Sequence, residues 1–256
     1  MIRRDENSSW LLITQHDHAG LAGEIMECWG NESFSGPEPR DEVLFAIREH
    51  DSGWEEWDAS PKIDPESGHP ANFMEMGSAE HTEIWERSFR APGSEHSYAA
   101  TLIALHFAKF NQRTLDKDPS DKSALRLKEE IKQFIADKLG IELTDSLQAG
   151  VPADVKVNLK LLQIGDIMSL TLCHGWKSIE ITEAPIDYSG NSATLKMESP
   201  DGFNYTVSHY PFNLLRLKFC IACRRLGRKV FSGDKEYRDM LSRAVREKLE
   251  FTISKD

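Results

Sequence analysis

The sequence predicts a mainly α fold, a helical bundle over residues 1–176 with a smaller β-rich (α+β) part over residues 177–256. Two observations carry that expectation. Apolar residues recur every three or four positions through most of the chain up to Cys173, as in Leu21, Ala22, Ile25, Met26 and Trp29. From Trp176 onward the texture changes to short stretches rich in β-branched and aromatic residues, divided by the turn formers Ser189-Gly190-Asn191 and Pro200-Asp201-Gly202. The second part is short enough to pack on the helices rather than fold alone.

Trp10 to Thr14 reads as a short extended run, followed by a helix from His18 to Trp29 with Asp17 as its candidate N-cap. Glycine, serine and proline make Gly30–Pro39 a loop. A second helix starts at Arg40, carries Val43, Leu44 and Ile47 on one face, and ends near His50-Asp51. Pro61, Pro65 and Pro70 break the stretch from Trp54 to Gly77, which Trp54, Trp57 and Phe73 pack down. Irregular segments of that length in a compact domain are commonly functional, for instance as lids. Helices follow over Ser78–Arg90, over Ser94–Asn111, and from the Thr114–Asp121 loop to Leu139. A last long helix begins after Pro152, a residue suited to a helix start, and runs to about Cys173. Strands are expected at Ser178–Thr182, Ala193–Glu198, Phe203–Ser208 and Asn213–Arg224, then a helix Lys235–Leu249 and a strand Glu250–Ile253.

A formal net charge of −11 argues against binding along a nucleic-acid backbone or on an anionic membrane surface. There is no signal-peptide pattern and no apolar run near the ~18 residues of a membrane span, so a cytoplasmic protein is expected. Cys28, Cys173, Cys220 and Cys223 are too few for a disulfide framework in a chain of this length. Cys220 and Cys223 form a CxxC, but the surrounding Leu215–Arg224 reads as a strand, on which positions three apart face opposite sides. They are expected to be structural thiols.

The residues with chemistry lie on the helices. His18 starts the first, His50 and Asp51 end the second, His81 is on the third, His106 on the fourth and Asp166 on the last of the α part. Asp166 shares a face with Leu159, Leu162 and Leu170, and a carboxylate among leucines is costly unless paired or metal-bound. His106 sits in the equally apolar Leu102-Ile103-Ala104-Leu105-His106-Phe107. Imidazole nitrogen with carboxylate oxygen is a donor mix that suits first-row transition metals. Adjacent helical residues point about 100° apart, so His50 and Asp51 reach one ion only in a cleft between helices. All six residues would hold two ions with Asp51 bridging; His18, His50, Asp51 and Asp166 would hold one. A lone helical histidine is more often surface or satisfied core than ligand, so the ordered set carries the argument. His16, His69, His96, His174 and His209 read as background.

The order H…HD…H…H…D on successive helices resembles the HD-domain metalloproteins, specifically the subset with a dinuclear centre. In that subset a first-helix His, the HD pair, two further His and a late Asp hold the metals, and His18, His50, Asp51, His81, His106 and Asp166 match that pattern across residues 10–173. More closely, Leu11-Leu12-Ile13-Thr14-Gln15, Asp17-His18, Ile47-Arg48-Glu49-His50-Asp51-Ser52-Gly53-Trp54 and Asp166-Ile167-Met168-Ser169-Leu170 resemble an uncharacterised bacterial family of unknown function. One departure stands out. Many HD phosphohydrolases, and the HD-type diiron oxygenases acting on inositol, carry Lys three residues after the HD aspartate, where this chain has Trp54. The Gly-Tyr-Pro signature of the cyclic-dinucleotide enzymes is also absent.

The resemblance implies a metal-dependent hydrolase with one or two divalent ions (Fe, Mn, Zn, Ni or Mg), acting on a small phosphate ester or nucleotide, with Asp51 at the catalytic centre. Lys109, one turn beyond His106, together with Arg48 and Trp54, are the candidate substrate contacts. Asp17 and Glu49 are candidate carboxylates to orient the metal-bound histidines. The same ligands would serve an HD-type diiron oxygenase, with Trp54 and the Trp57–Phe73 loop as a dry lid. A third reading is a non-catalytic metal- or ligand-binding regulatory module, with the β-rich part as its interaction surface.

Overall fold

The computed structural model describes residues 1–93, 95–140 and 150–256, and in it both ends of the chain build a single sheet. Strands β1 (Ile2–Glu6) and β2 (Ser9–Ile13) pair antiparallel, and β2 continues onto β6 (Arg216–Leu226). Beyond β6 lie β7 (Arg246–Lys255), β5 (Asn204–Val207), β4 (Ser192–Glu198) and β3 (Ser178–Pro185). Every neighbouring pair is antiparallel except β5 and β7, which run parallel.

A seven-stranded mixed sheet overturns the expectation of a mainly α, HD-like helical bundle with a smaller β-rich C-terminal part. The sheet is a full layer and draws two strands from the first thirteen residues. The sequence hides this for two physical reasons. β1 reads Ile-Arg-Arg-Asp-Glu, too polar to signal a strand by composition; its register against β2 and the inward burial of Ile2 and Arg4 define it. At the other end, Leu249, Phe251 and Ile253 are buried at alternate positions from Arg246 onward, a period of two that belongs to a strand. The preceding helix therefore stops at Arg243, well short of Leu249.

The helices are α1 (Gln15–Glu27), α2 (Arg40–Glu49), the short α3 (Glu55–Ala59), α4 (Ser78–Arg90), α5 (Ser97–Lys117), α6 (Lys122–Leu139), α7 (Ala153–His174) and α8 (Asp234–Arg243). The expected start of the fourth long helix, Ser94, lies outside the described residues, and that helix runs past Asn111 to Lys117. α1 is capped by Thr14, whose Oγ1 accepts from the Asp17 amide at 3.0 Å, so Asp17 sits in the first turn rather than at the cap. Among the described residues no helix is long and apolar enough to cross a membrane.

One core joins the two layers. Ile2, Leu11 and Ile13 from the sheet cluster with Leu21, Ile25, Met168 and Leu172 from the helices and with Phe219, Ile221 and Phe251. β2 is buried on both faces: Trp10 and Leu12 join Leu226, Phe231, Tyr237 and Leu241 in a second cluster beneath α8. Removing an apolar side chain of this size from water contributes roughly 1.5–3 kcal/mol. α1 leans on β6 and α7 on β1 and β3, while α1, α2, α5 and α7 pack against one another. α1, α5 and α7 carry His18, His106 and Asp166, His50 and Asp51 directly follow α2, and His81 lies on α4.

Candidate metal centre

Close helix approach comes first. Gly165, beside Asp166, faces α1 and α2; a Cβ there would lie 2.8 Å from Met26 Cγ and 3.3 Å from Ile47 Cγ2. Only a residue without a side chain lets α7 come near enough to put Asp166 among the histidines. Gly53 does the same after the His50-Asp51 pair. Its missing Cβ would sit 2.2 Å from the Ile84 carbonyl oxygen, and its amide donates to Ser88 Oγ at 3.0 Å, pinning the turn that carries Asp51 onto α4.

Five of the six predicted ligands meet in the interior, each less than a tenth exposed. Donor atoms of His18, His50 and Asp51 lie within 4.8 Å of one another, as do those of His50, His106 and Asp166. His18 Nε2 is 3.3 Å from Asp51 Oδ2 and 3.4 Å from Asp166 Oδ1. His50 Nε2 is 3.7 Å from each of the same two oxygens, and His106 Nε2 is 3.6 Å from Asp166 Oδ2. Asp166 thus faces all three imidazoles, where Asp51 was expected to be the bridge.

The outer nitrogens of two rings are already engaged. His50 Nδ1–H donates to the Ile47 carbonyl at 2.7 Å. Ser169 Oγ donates to the Asp166 carbonyl at 2.9 Å, which leaves it to accept from His18 Nδ1–H at 2.7 Å. Both rings are thereby fixed through Nδ1, with Nε2 turned toward the carboxylates. Those Nε2 atoms are buried and have no hydrogen-bond partner. Donors bonded to one ion at about 2.0–2.2 Å lie about 3.0–3.5 Å from one another, and the separations here are at or just beyond that range. The donor set therefore fits a divalent metal. The orienting groups are a serine hydroxyl and a backbone carbonyl rather than the expected carboxylates: Asp17 is bonded to Thr14 instead.

Electrostatics point the same way. Burial favours neutral His50, but Asp51 and then Asp166 outweigh it and lift its pKa to about 9. Burial also works to protonate Asp166, and His50, His106 and His18 overcome it, holding the carboxyl down at about 2. His106 is driven down to about 4, chiefly by burial. An ionised carboxylate in a dry pocket requires positive charge beside it.

One cavity, of about 280 Å³, opens onto His106 and Asp166. Lys109, Phe110 and Arg113 of α5, Lys160, Gln163 and Ile164 of α7, and residues 180–182 of β3 complete its wall. Lys109 donates to Gln163 Oε1 at 3.0 Å, and its ammonium is held below its ordinary pKa by burial first, then by Lys160 and Arg113.

The other predicted residues go elsewhere. His81 stands outside both donor groups: its Nε2–H donates to the Phe73 carbonyl at 2.6 Å, and its ring stacks on Trp85 at 5.0 Å. Trp54 is buried edge-on to His81 and Phe73, inside the packing. Arg48 pairs with Glu27 at a separate surface hollow shared with Arg40, Glu42 and His96. Cys220 is exposed and Cys223 buried, both as free thiols. Sequence reasoning missed Ser169, Gly165, Arg113, Lys160 and Gln163. The signal for the first two was spacing from Asp166; the mouth residues look like any solvated helix face.

A buried three-histidine, two-aspartate cluster between helices, backed by a mixed sheet, is the class of site this fold defines. The chain belongs to the family described as protein of unknown function DUF3891, whose profile matches residues 1–228 and so spans all five donors. No curated protein and no solved structure matches the chain.

Proposed function

We propose that this protein is a metal-dependent hydrolase of the HD type, acting on a small phosphate ester or nucleotide. The observation that carries the proposal is the pair of buried, unpartnered Nε2 atoms of His18 and His50 aimed at the Asp51 and Asp166 carboxylates. His18, His50, Asp51 and Asp166 would hold one divalent ion, with His106 at its cavity side. Such an ion supplies Lewis acidity and a hydroxide nucleophile at neutral pH.

The chain's own groups do the rest. Ser169 and the Ile47 carbonyl fix the orientation of the His18 and His50 imidazoles ahead of ion binding. Phe110, edge-on to His106 at 4.9 Å, and Ile164 and Ile167 keep the inner wall of the cavity apolar and limit water. With Asp51 and Asp166 as carboxylate ligands, an ion would be reached by substrate from the His106 side, where the cavity opens. Since His81 is engaged with Phe73, the arrangement favours one ion over two.

Purification without chelators followed by elemental analysis and a phosphomonoester screen tests the proposal. About one manganese, zinc, nickel or magnesium per chain and metal-dependent phosphate release are expected. Iron with a spectral change on exposure to air and no phosphatase activity would replace the hydrolase with an oxygenase.

A further inference from the structure

We propose that Lys109, Arg113 and Lys160 form an anion subsite at the cavity mouth, and that the substrate is a small, multiply charged anion of the phosphate class seated between them and His106. This rests on the hydrolase reading and names the substrate for it.

The chain carries a net charge of −11, yet the cavity that reaches the cluster gathers these three cations in its wall. Surface cations in so acidic a protein are ordinarily matched: Arg87 with Glu56, Arg126 with Glu86 and Arg225 with Glu247 are examples. Among the described residues Lys109 and Arg113 have no carboxylate within ion-pair distance, and Lys160 meets only the 83 % exposed Glu183, at 4.0 Å. Asp166 and Glu180 share the wall and Glu183 acts on Lys109, but the three cations outnumber the two carboxylates of the wall. Like charges held together repel one another, and a bound anion converts that repulsion into attraction.

Two features hold the cations in place. The Lys109–Gln163 bond ties α5 to α7 across the opening, and the Arg113 guanidinium lies over the Phe110 ring at 5.5 Å. On the facing strand the register slips between Ile181 and Ala184, and Glu183 adopts φ 55°, a left-handed conformation that non-glycine residues rarely hold. A bulge of this kind re-aims neighbouring side chains; Glu180, Ile181 and Thr182, just before it, form that wall.

Size sets the class. A cavity of about 280 Å³ sits at the small end of ligand pockets. It takes a phosphorylated metabolite or one nucleotide, not a polymer. The chemistry fits as well, because lysine and arginine give phosphate oxygens charge-assisted hydrogen bonds.

The test is calorimetric titration of inorganic phosphate into the purified protein and into Lys109→Gln, Arg113→Gln, Lys160→Gln and the triple variant, with metal content measured on each. All three positions lie on the cavity wall rather than in the core, and thermal unfolding verifies that each variant folds. The expected result is about tenfold weaker phosphate binding for each single variant, the loss of one charged hydrogen bond, and more for the triple, with metal content unchanged. Phosphate bound equally by wild type and triple variant overturns the subsite. So does succinate, or a short single-stranded oligonucleotide, competing as well as phosphate. If the protein holds no metal while phosphate binding still follows the three cations, the subsite stands and the hydrolase reading falls.

Discussion

At its closed end the cluster is His18, His50 and Asp51, sealed by α1, α2 and α7 over the sheet and oriented by Ser169 and Ile47. At its open end it is His106 and Asp166, facing a cavity rimmed by cations. The closed end has buried imidazole nitrogens without hydrogen-bond partners; the open end faces a cavity and carries an ammonium that burial holds below its ordinary pKa. On the proposed reading the two ends divide the labour, one to hold a cation and the other to receive an anion from solvent. Asp166 belongs to both, since its two oxygens face different histidines.

Breaking that shared residue gives the largest effect. Asp166→Ala removes one of the two carboxylates facing buried His50 and the only one facing His106 among the described residues, leaving Asp51 alone against three imidazoles; loss of one partner in a buried charged set costs about 3–5 kcal/mol. Thermal unfolding and elemental analysis should show a lower Tm and little bound metal, and an unchanged Tm would sink the electrostatic account. Gly165→Ala comes next. The added methyl meets Met26 and Ile47, so overpacking of about 1–3 kcal/mol is expected, together with weaker metal binding as α7 moves away. Denaturant titration settles it; a neutral outcome means α7 does not depend on that close approach.

Ser169→Ala sharpens the comparison rather than breaking it. It frees the His18 ring at the closed end, so metal affinity should fall about 10–100-fold, while stability changes by only about 1 kcal/mol. Equal affinity in the two proteins, measured by competition with a chromophoric chelator, would remove Ser169 from the account.

The smallest effect is in pH. Burial drives His174 from its ordinary 6.5 down to about 4, with its Nε2 unpartnered and its ring stacked on Trp176. The unfolded chain binds that proton more readily than the folded one, so stability is fullest above pH 6.5 and declines as pH falls toward 4. His174→Gln should flatten the slope of Tm against pH in that window, and an identical slope would show that other groups carry it.

Much of the site was legible in the sequence. His18, His50, Asp51, His106 and Asp166 announce themselves because polar groups on apolar helical faces require an explanation, and the structure brings them together. His81 shared that signature but finds a carbonyl instead of an ion, a distinction that depends on the path of the loop at Phe73 and not on local pattern. Lys109, singled out by its one-turn spacing from His106, does line the cavity; Arg113 and Lys160 were not singled out, since a lysine on a solvated helix face and one on a cavity wall look alike until two helices and a strand enclose them. The sheet was misjudged for a related reason. β1 owes its form to pairing with β2 across a tight turn, and the place of β2 beside β6 is a register between segments far apart in sequence, which leaves no periodicity in either one.

The central claim is most directly tested by the metal content of four proteins: wild type, Asp51→Ala, Asp166→Ala and His81→Ala. The account predicts about one divalent ion per chain in the wild type and in His81→Ala, with most of it lost from both aspartate variants. Full metal content in the aspartate variants, or its loss only in His81→Ala, would contradict it.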